Sequence, residues 1–236
     1  MDETVSIAIE TSCRLGGVAL GRGDELIAAS DFSAAARHGT QLVARLAELL
    51  SDAGLCPGDL REVYVSVGPG SFTGTRIGVT VARMLALAIP HVRCVAVSTP
   101  LAVAEGAREL DWRHLGVVLD AREGLCHVTQ FAREGDAIEP RGPAGVMSAA
   151  EFLRQAPRPL TLLGEGLGHH DLLADGVTIP AGDATDAPPH LPTARAVWHV
   201  GRRDARDGRF TVPSRLRCVY SRKPEAVRVW EARHGH

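Results

Sequence analysis

The chain has 236 residues, 45% hydrophobic and 23% charged, with 26 basic and 28 acidic side chains and a formal net charge of -2. That is globular composition at a length suited to one large domain or two small ones, and near-neutrality excludes a uniformly basic nucleic-acid coat. Lys223 is the single lysine and sits in Arg222-Lys223-Pro224 with no glycine loop before it, which argues against Walker-type ATPases, Schiff-base enzymes and lysine-dependent kinases.

The first thirty residues read as strands. Val5 to Ile9 alternates and ends at Glu10-Thr11-Ser12, Gly17 to Leu20 follows a glycine break, and Glu25 to Ala29 follows Gly21-Arg22-Gly23-Asp24. A helix is predicted from about Thr40 to Ala53, closed by Gly54. Glu62 to Val67 is a buried strand leading into a glycine loop, a second helix runs from about Thr75 to Ala88, and Cys94 to Val97 is another strand. The order is βββαβα.

The pattern then restarts. Leu115 to Asp120 and Leu125 to Phe131 form a hairpin, Ala137 to Glu139 a third strand, Ala149 to Gln155 a helix and Leu160 to Leu163 a strand, with a short helix expected over His169 to Ala174. A loop rich in Pro, Asp and Ala (181–194) precedes a helix from about Thr193 to Asp207 and an arginine-rich tail. Such alternation predicts an α/β fold of two similar lobes. The boundary is expected within 99–113, dividing the chain into residues 1–104 and 105–236.

Five scattered cysteines (Cys13, Cys56, Cys94, Cys126 and Cys218) form no CxxC pair or dense framework, which favours reduced thiols that pack. The acidic start Met1-Asp2-Glu3-Thr4 has no signal-peptide character, and the most apolar run, Ile77 to Ile89, contains Arg83 and is too short to span a bilayer. The expectation is a soluble cytoplasmic protein with no membrane association. Aromatics make up 4% of the chain, so a stacking platform for single-stranded nucleic acid is not evident.

Gly68-Pro69-Gly70-Ser71-Phe72-Thr73-Gly74 joins a strand to a helix, where unpaired amides and the helix dipole favour an anion. It lacks the GxxxxGK[ST] spacing, and Thr73 occupies the third glycine position of GxGxxG. Phosphate cradle and tight structural turn both remain open readings.

The whole string resembles the TsaB family: Glu10-Thr11-Ser12 after the first strand, His38 before the first helix, Gly68 to Gly74 with Arg76-Ile77-Gly78 beyond, and Asp120-Ala121-Arg122 opening the second half. Gly164-Glu165-Gly166 and Tyr220-Ser221-Arg222 extend the likeness, which is dense over residues 5–104 and traceable to about residue 231. The resemblance implies a two-lobed actin/Hsp70-like ATPase fold without a competent ATP site. It further implies a non-catalytic dimerisation subunit that pairs with a TsaD-like catalytic protein and recruits a TsaE-like ATPase. Together they would add a threonylcarbamoyl group to N6 of adenosine 37 in tRNAs reading ANN codons. No cofactor is expected in this chain, with a nucleotide at the inter-subunit junction left open. One departure is Glu10, where the family usually has Asp; its longer side chain would shift any ligating carboxylate.

The alternative is an active ATP-dependent or metal-dependent TsaD-like enzyme. Glu10 and Asp120 sit where carboxylates would hold a metal–phosphate, but Arg14 and Arg122 stand where slim residues would admit phosphates. The HxxxH metal spacing is absent, since His38-Gly39-Thr40-Gln41-Leu42 lacks the second ligand. His169-His170 point about 100° apart if helical, and His234 and His236 close the sequence. No catalytic residue and no metal site is nominated.

The two helices offer the better functional reading. The first carries one stripe with Leu42, Leu46 and Leu49 and an adjacent stripe with Val43, Ala47 and Leu50; the second is apolar on most faces, including Ile77, Val81, Met84 and Leu85. Together these exceed the ~100° stripe that one sheet can cover, so Leu42, Leu46, Leu49, Ile77, Val81, Met84 and Leu85 are the candidate interface, with a TsaD-like subunit or with a second copy. Residues 195–236 hold 11 basic and 4 acidic side chains, a net of +7, against -9 for the residues before them. Arg202, Arg203, Arg206, Arg209, Arg215 and Arg217 are therefore candidates to face tRNA phosphates or an acidic partner.

Overall fold

The computed structural model describes residues 3–33, 38–142, 144–180 and 191–221, with Val227, Trp230, Arg233 and His234 beyond. The expected 181–194 loop lies mostly outside the described residues, as do Arg222, Lys223 and His236.

Strands β1 (Val5–Glu10), β2 (Leu15–Arg22) and β3 (Glu25–Ser33) form an antiparallel meander. Helix α1 (His38–Asp52) then leads to β4 (Leu60–Ser66), which joins β1 in parallel, and α2 (Phe72–Ala88) leads to β5 (Arg93–Val97), parallel to β4. The sheet order is β3-β2-β1-β4-β5.

The second sheet repeats this plan. Strands β6 (His114–Asp120), β7 (Leu125–Glu134) and β8 (Ala137–Pro140) are antiparallel, with β9 (Gly145–Ser148) also on β7. Helix α4 (Ala149–Gln155) leads to β10 (Leu160–Leu163), which runs parallel to β6, and β11 (Val177–Thr178) runs parallel to β10. The order β8-β7-β6-β10-β11 is the first sheet's order over again. The duplication read from the alternation of strands and helices is therefore built as two sheets of one topology.

Strand alternation divides each core in two, because successive side chains point to opposite faces. In the first sheet Ile7, Ile9, Val63 and Val65 pack with Leu42, Leu46 and Leu50 of α1 and Val79, Ala82 and Ala86 of α2. Ala8, Ala19, Tyr64 and Val95 face the other way, onto α3 (Thr99–Gly106) and α5 (Ala194–Arg206). Small residues admit α5 closely: a Cβ on Gly21 would strike the ring of Trp198, and one on Gly201 would strike Tyr64. Trp198 is anchored by Nε1 donating to Ser6 Oγ at 2.9 Å.

Several expectations need correction. The C-terminal helix was assigned to a 105–236 unit, yet α5 closes the second face of the first sheet. The stretch expected to break the pattern near Pro100 is helix α3, which follows Ser98 and carries its proline in the first turn, where a missing N–H costs nothing. It packs Ala102 into the first lobe's core and Val103 and Ala104 into the second's, so the expected boundary at residue 104 falls inside a helix shared by both cores. No helix forms over His169 to Ala174; a 3-10 turn covers Glu165–Gly168 instead. Only Leu172 of that stretch enters the core while Leu173 lies in solvent, so no apolar stripe supports a helix. Finally, α2 starts at Phe72, three residues before the expected Thr75, because Ser71 caps it by accepting from Gly74 N at 3.2 Å.

Candidate functional site

The C-terminal ends of β1, β4 and β6 and the turn after β10 meet where the two lobes join, and the glycine loop closes this junction on one side. What faces the glycines decides between the two readings of the loop. A Cβ on Gly70 would strike the Ser12 carbonyl oxygen, one on Gly74 the Thr11 carbonyl oxygen, and one on Gly78 the Thr11 hydroxyl. Ser71 N donates to Ser12 O at 2.6 Å, and Thr11 Oγ1 donates to Gly74 O at 2.8 Å. Gly68 takes a φ of 100° and lies against the Val219 carbonyl, while Val219 N donates to Val67 O at 2.7 Å. The space a phosphate would need is lined by carbonyl oxygens of neighbouring segments. The glycines of this loop serve close backbone packing against Thr11, Ser12 and Val219.

The carboxylates at the junction are equally committed. Glu10 is fully buried and accepts from Ser12 N at 2.5 Å and Ser12 Oγ at 2.6 Å, so its longer side chain curls back onto its own turn. Burial pushes its pKa up to about 7, against the lowering hydrogen bonds of Ser12. Its Oε2 has no hydrogen-bond partner, and neither does the buried Ser66 Oγ; a protonated Glu10 supplies the donor that the ionised form lacks. Burial also raises Glu165, which faces the Cys13 thiol, and burial holds Cys13 itself far above thiolate range. Asp120 Oδ1 accepts from Arg122 N at 3.0 Å and stands 3.4 Å from His170 Nε2. Arg122 and Glu123 adopt positive φ of 62° and 53°, so the second-lobe turn is a strained one built from bulky residues. The junction thus gathers buried acids with raised pKa, a thiol held protonated by burial and a turn built from bulky residues. Among the described residues no three His, Cys, Asp or Glu side chains could hold a metal ion. His38 opens α1, and its side chain lies outside the described residues.

The interface candidates separate by burial. Leu42 and Leu46 are buried in the chain's own core, and this corrects their assignment to a partner face: their stripe is the one α1 turns to the sheet. Leu49, Ile77, Val81 and Leu85 are half-buried along the same core. Met84 is exposed as expected. The large apolar side chains of α1 and α2 that reach solvent are Val43, Phe72, Met84 and Leu87, at 57%, 48%, 56% and 75% exposure, Phe72 in the first turn of α2 and Met84 and Leu87 in its last turns.

The arginine candidates separate in the same way. Arg202 is 8% exposed; its Nε donates to Asp24 Oδ1 at 3.0 Å, and its Nη1 lies 3.6 Å from Glu62. It is thus a staple between α5 and the first sheet, which corrects its placement on a tRNA-facing surface. Arg206 reaches Asp24 at 3.4 Å and Arg203 reaches Glu105 at 3.3 Å. Burial pushes Glu105 up, but Arg108 and Arg203 outweigh it and hold the carboxyl below its usual value. Arg209 pairs with Asp204 and Asp207 at 2.6 and 2.7 Å. Arg215 and Arg217 are exposed and make no ion pair among the described residues.

Two duplicated sheets with this strand order, joined through a central helix, define the actin/Hsp70-like class of α/β proteins. The profile of the family described as TsaD, tRNA N6-adenosine threonylcarbamoyltransferase, matches residues 32–171. The tRNA threonylcarbamoyladenosine biosynthesis protein TsaB of Bacillus subtilis is 31% identical over 217 residues, spanning 90% of this chain and 94% of its own length. The protein of that name from Escherichia coli is 31% identical over 138 residues, 56% of this chain and 57% of its own. The solved structure of YeaZ from Pseudomonas aeruginosa has this fold, with a TM-score of 0.76 at 21% identity over 92% of this chain and 99% of its own. The chain belongs to the TsaB family. Among its described residues no helix is long and apolar enough to cross a membrane.

Proposed function

We propose that this chain is a non-catalytic scaffold in tRNA threonylcarbamoyladenosine synthesis, docking a TsaD-like catalytic subunit through the outer faces of α1 and α2 and helping a TsaE-like ATPase to assemble on that pair. The observation that carries the reading is the exposure of Val43 on α1 and of Met84 and Leu87 on α2, two helices whose other faces fill the core. Large apolar side chains held rigid on a helix are the kind of group whose burial drives association. The closed glycine loop and the committed carboxylates of the lobe junction support the non-catalytic half of the reading. The chain is assigned no cofactor of its own, and a nucleotide in the assembly would lodge at the junction with the partner. In the absence of that partner the same faces pair with a second copy.

The test is titration of a TsaD-like subunit against the full chain by calorimetry, with light scattering on each protein alone. Met84→Glu and Leu87→Glu lie in solvent and leave the fold intact, and each is expected to weaken the complex on the order of 100-fold. Unchanged affinity and an unchanged oligomer in both variants would overturn the proposed face.

A further inference from the structure

The sequence from Val63 to Ala104 contains no Asp or Glu, and neither does the sequence from Gly208 to Pro224. The fold lays parts of these two acid-free stretches side by side. After α5 the chain bridges to the edge strand at Cys94–Thr211, passes a 3-10 turn at Pro213–Arg215, buries Leu216, and rejoins the glycine loop at Val219. It therefore returns along α2 towards that helix's first turn.

At the end of this path two aromatic rings distant in sequence meet in the open. Phe72 and Tyr220 have ring centroids 5.1 Å apart, tilted by 34°, and are 48% and 39% exposed. The Arg76 guanidinium carbon stands 5.0 Å from the Phe72 ring centroid. Arg76, Arg215 and Arg217 are exposed and make no ion pair among the described residues, unlike the stapled arginines of α5. Few chains so poor in aromatics can spare rings for solvent, and burying these two against each other alone leaves much of both faces wet.

Resting on the reading that the chain serves a tRNA-modifying assembly, we propose that this strip is an RNA contact: an unpaired tRNA base stacks on the Phe72–Tyr220 pair, and Arg76, Arg215 and Arg217 neutralise the flanking phosphates. Charge complementarity selects the occupant, because the two stretches that carry the rings and these arginines hold no Asp or Glu, and exposed rings with unpaired arginines on the same segments suit a polyanion with stackable faces. The strip occupies the first half of α2. Leu87 lies fifteen residues further along the helix, about 22 Å at 1.5 Å per residue, so RNA and the catalytic subunit occupy different ends of it.

The test is fluorescence anisotropy of a labelled, unmodified tRNA transcript over a salt series, with the full chain alone and with its TsaD-like subunit. Phe72→Ala and Tyr220→Ala are each expected to weaken binding about 10-fold, while Phe72→Trp keeps it. Arg76→Gln, Arg215→Gln and Arg217→Gln should each flatten the dependence of log affinity on log salt by about one. No tRNA binding by the native chain in either setting would overturn the proposal, as would unchanged affinity and salt slope in variants that melt like the native protein. Loss of the catalytic subunit with tRNA affinity retained in Phe72→Ala would also overturn it, assigning the strip to protein. The Met84→Glu and Leu87→Glu variants should bind tRNA normally when alone, so failure of the docking reading is seen separately.

Discussion

Glu10 carries a full carboxyl into a place with no water, holding it by one backbone amide and one hydroxyl of Ser12. Because burial lifts its pKa from 4.5 to about 7, the folded chain keeps a proton that the unfolded chain releases. This contribution to stability is therefore greatest below pH 4.5, declines as pH rises towards 7 and levels off above. Its size is on the order of 3 kcal/mol. Glu10→Gln keeps the acceptor for Ser12 and removes the titration, so urea denaturation of native and variant proteins should diverge across that window, the native chain losing stability with pH and the variant losing less. The residues of this junction were legible as a motif but not as a role. Glu10-Thr11-Ser12 and Gly68 to Gly74 stand out in the sequence, yet whether the glycines face phosphate or protein depends on Thr11, Ser12 and Val219, which reach them only through the fold. Nor does spacing reveal the meeting of Phe72 with Tyr220.

Helix periodicity marked α1 and α2 as carrying more apolar surface than one face can hide, and that inference depends only on the 3.6-residue repeat. It did not say which stripe the sheet takes. The stripe with Leu42 and Leu46 does, joined by Leu50, and Val43 is left out. Leu46→Glu should consequently unfold the chain, since it places an unpaired carboxylate in the core at a cost of several kcal/mol, whereas Leu87→Glu should melt like the native protein; circular dichroism on the two variants separates them. The pairing of the basic helix is hidden from the sequence for a similar reason. Charge counted along the sequence cannot show that Asp24, Glu62 and Glu105 lie opposite α5. Removing Arg202 leaves Glu62 and Asp24 short of a partner beside Trp198, and Arg202→Gln is expected to lower stability by about 3 kcal/mol in denaturant titration, an effect that would imitate a functional loss if stability were not measured.

At the scale of the molecule, the repeated order of strands and helices was enough to read two similar lobes, and the two sheets share one five-strand order, to which the second adds β9 on β7. Chain order misplaced the division between them, because α5 returns across the sequence to the first sheet and α3 serves both cores. The near-zero net charge likewise covers different arginines: Arg202, Arg203 and Arg206 of α5 pair with carboxylates from earlier in the chain, whereas Arg76, Arg215 and Arg217 make no ion pair among the described residues. Exposed apolar side chains on α1 and α2 support the scaffold role proposed above. The direct measurement is threonylcarbamoyl transfer to tRNA reconstituted from a TsaD-like subunit, a TsaE-like ATPase and this chain. Glu10→Gln, Asp120→Asn and Glu165→Gln are expected to keep at least half of native activity, while the Met84→Glu, Leu87→Glu double variant, though folded, loses it. Abolished transfer in the carboxyl variants with the subunits still bound, or full activity in the double variant, would contradict the account.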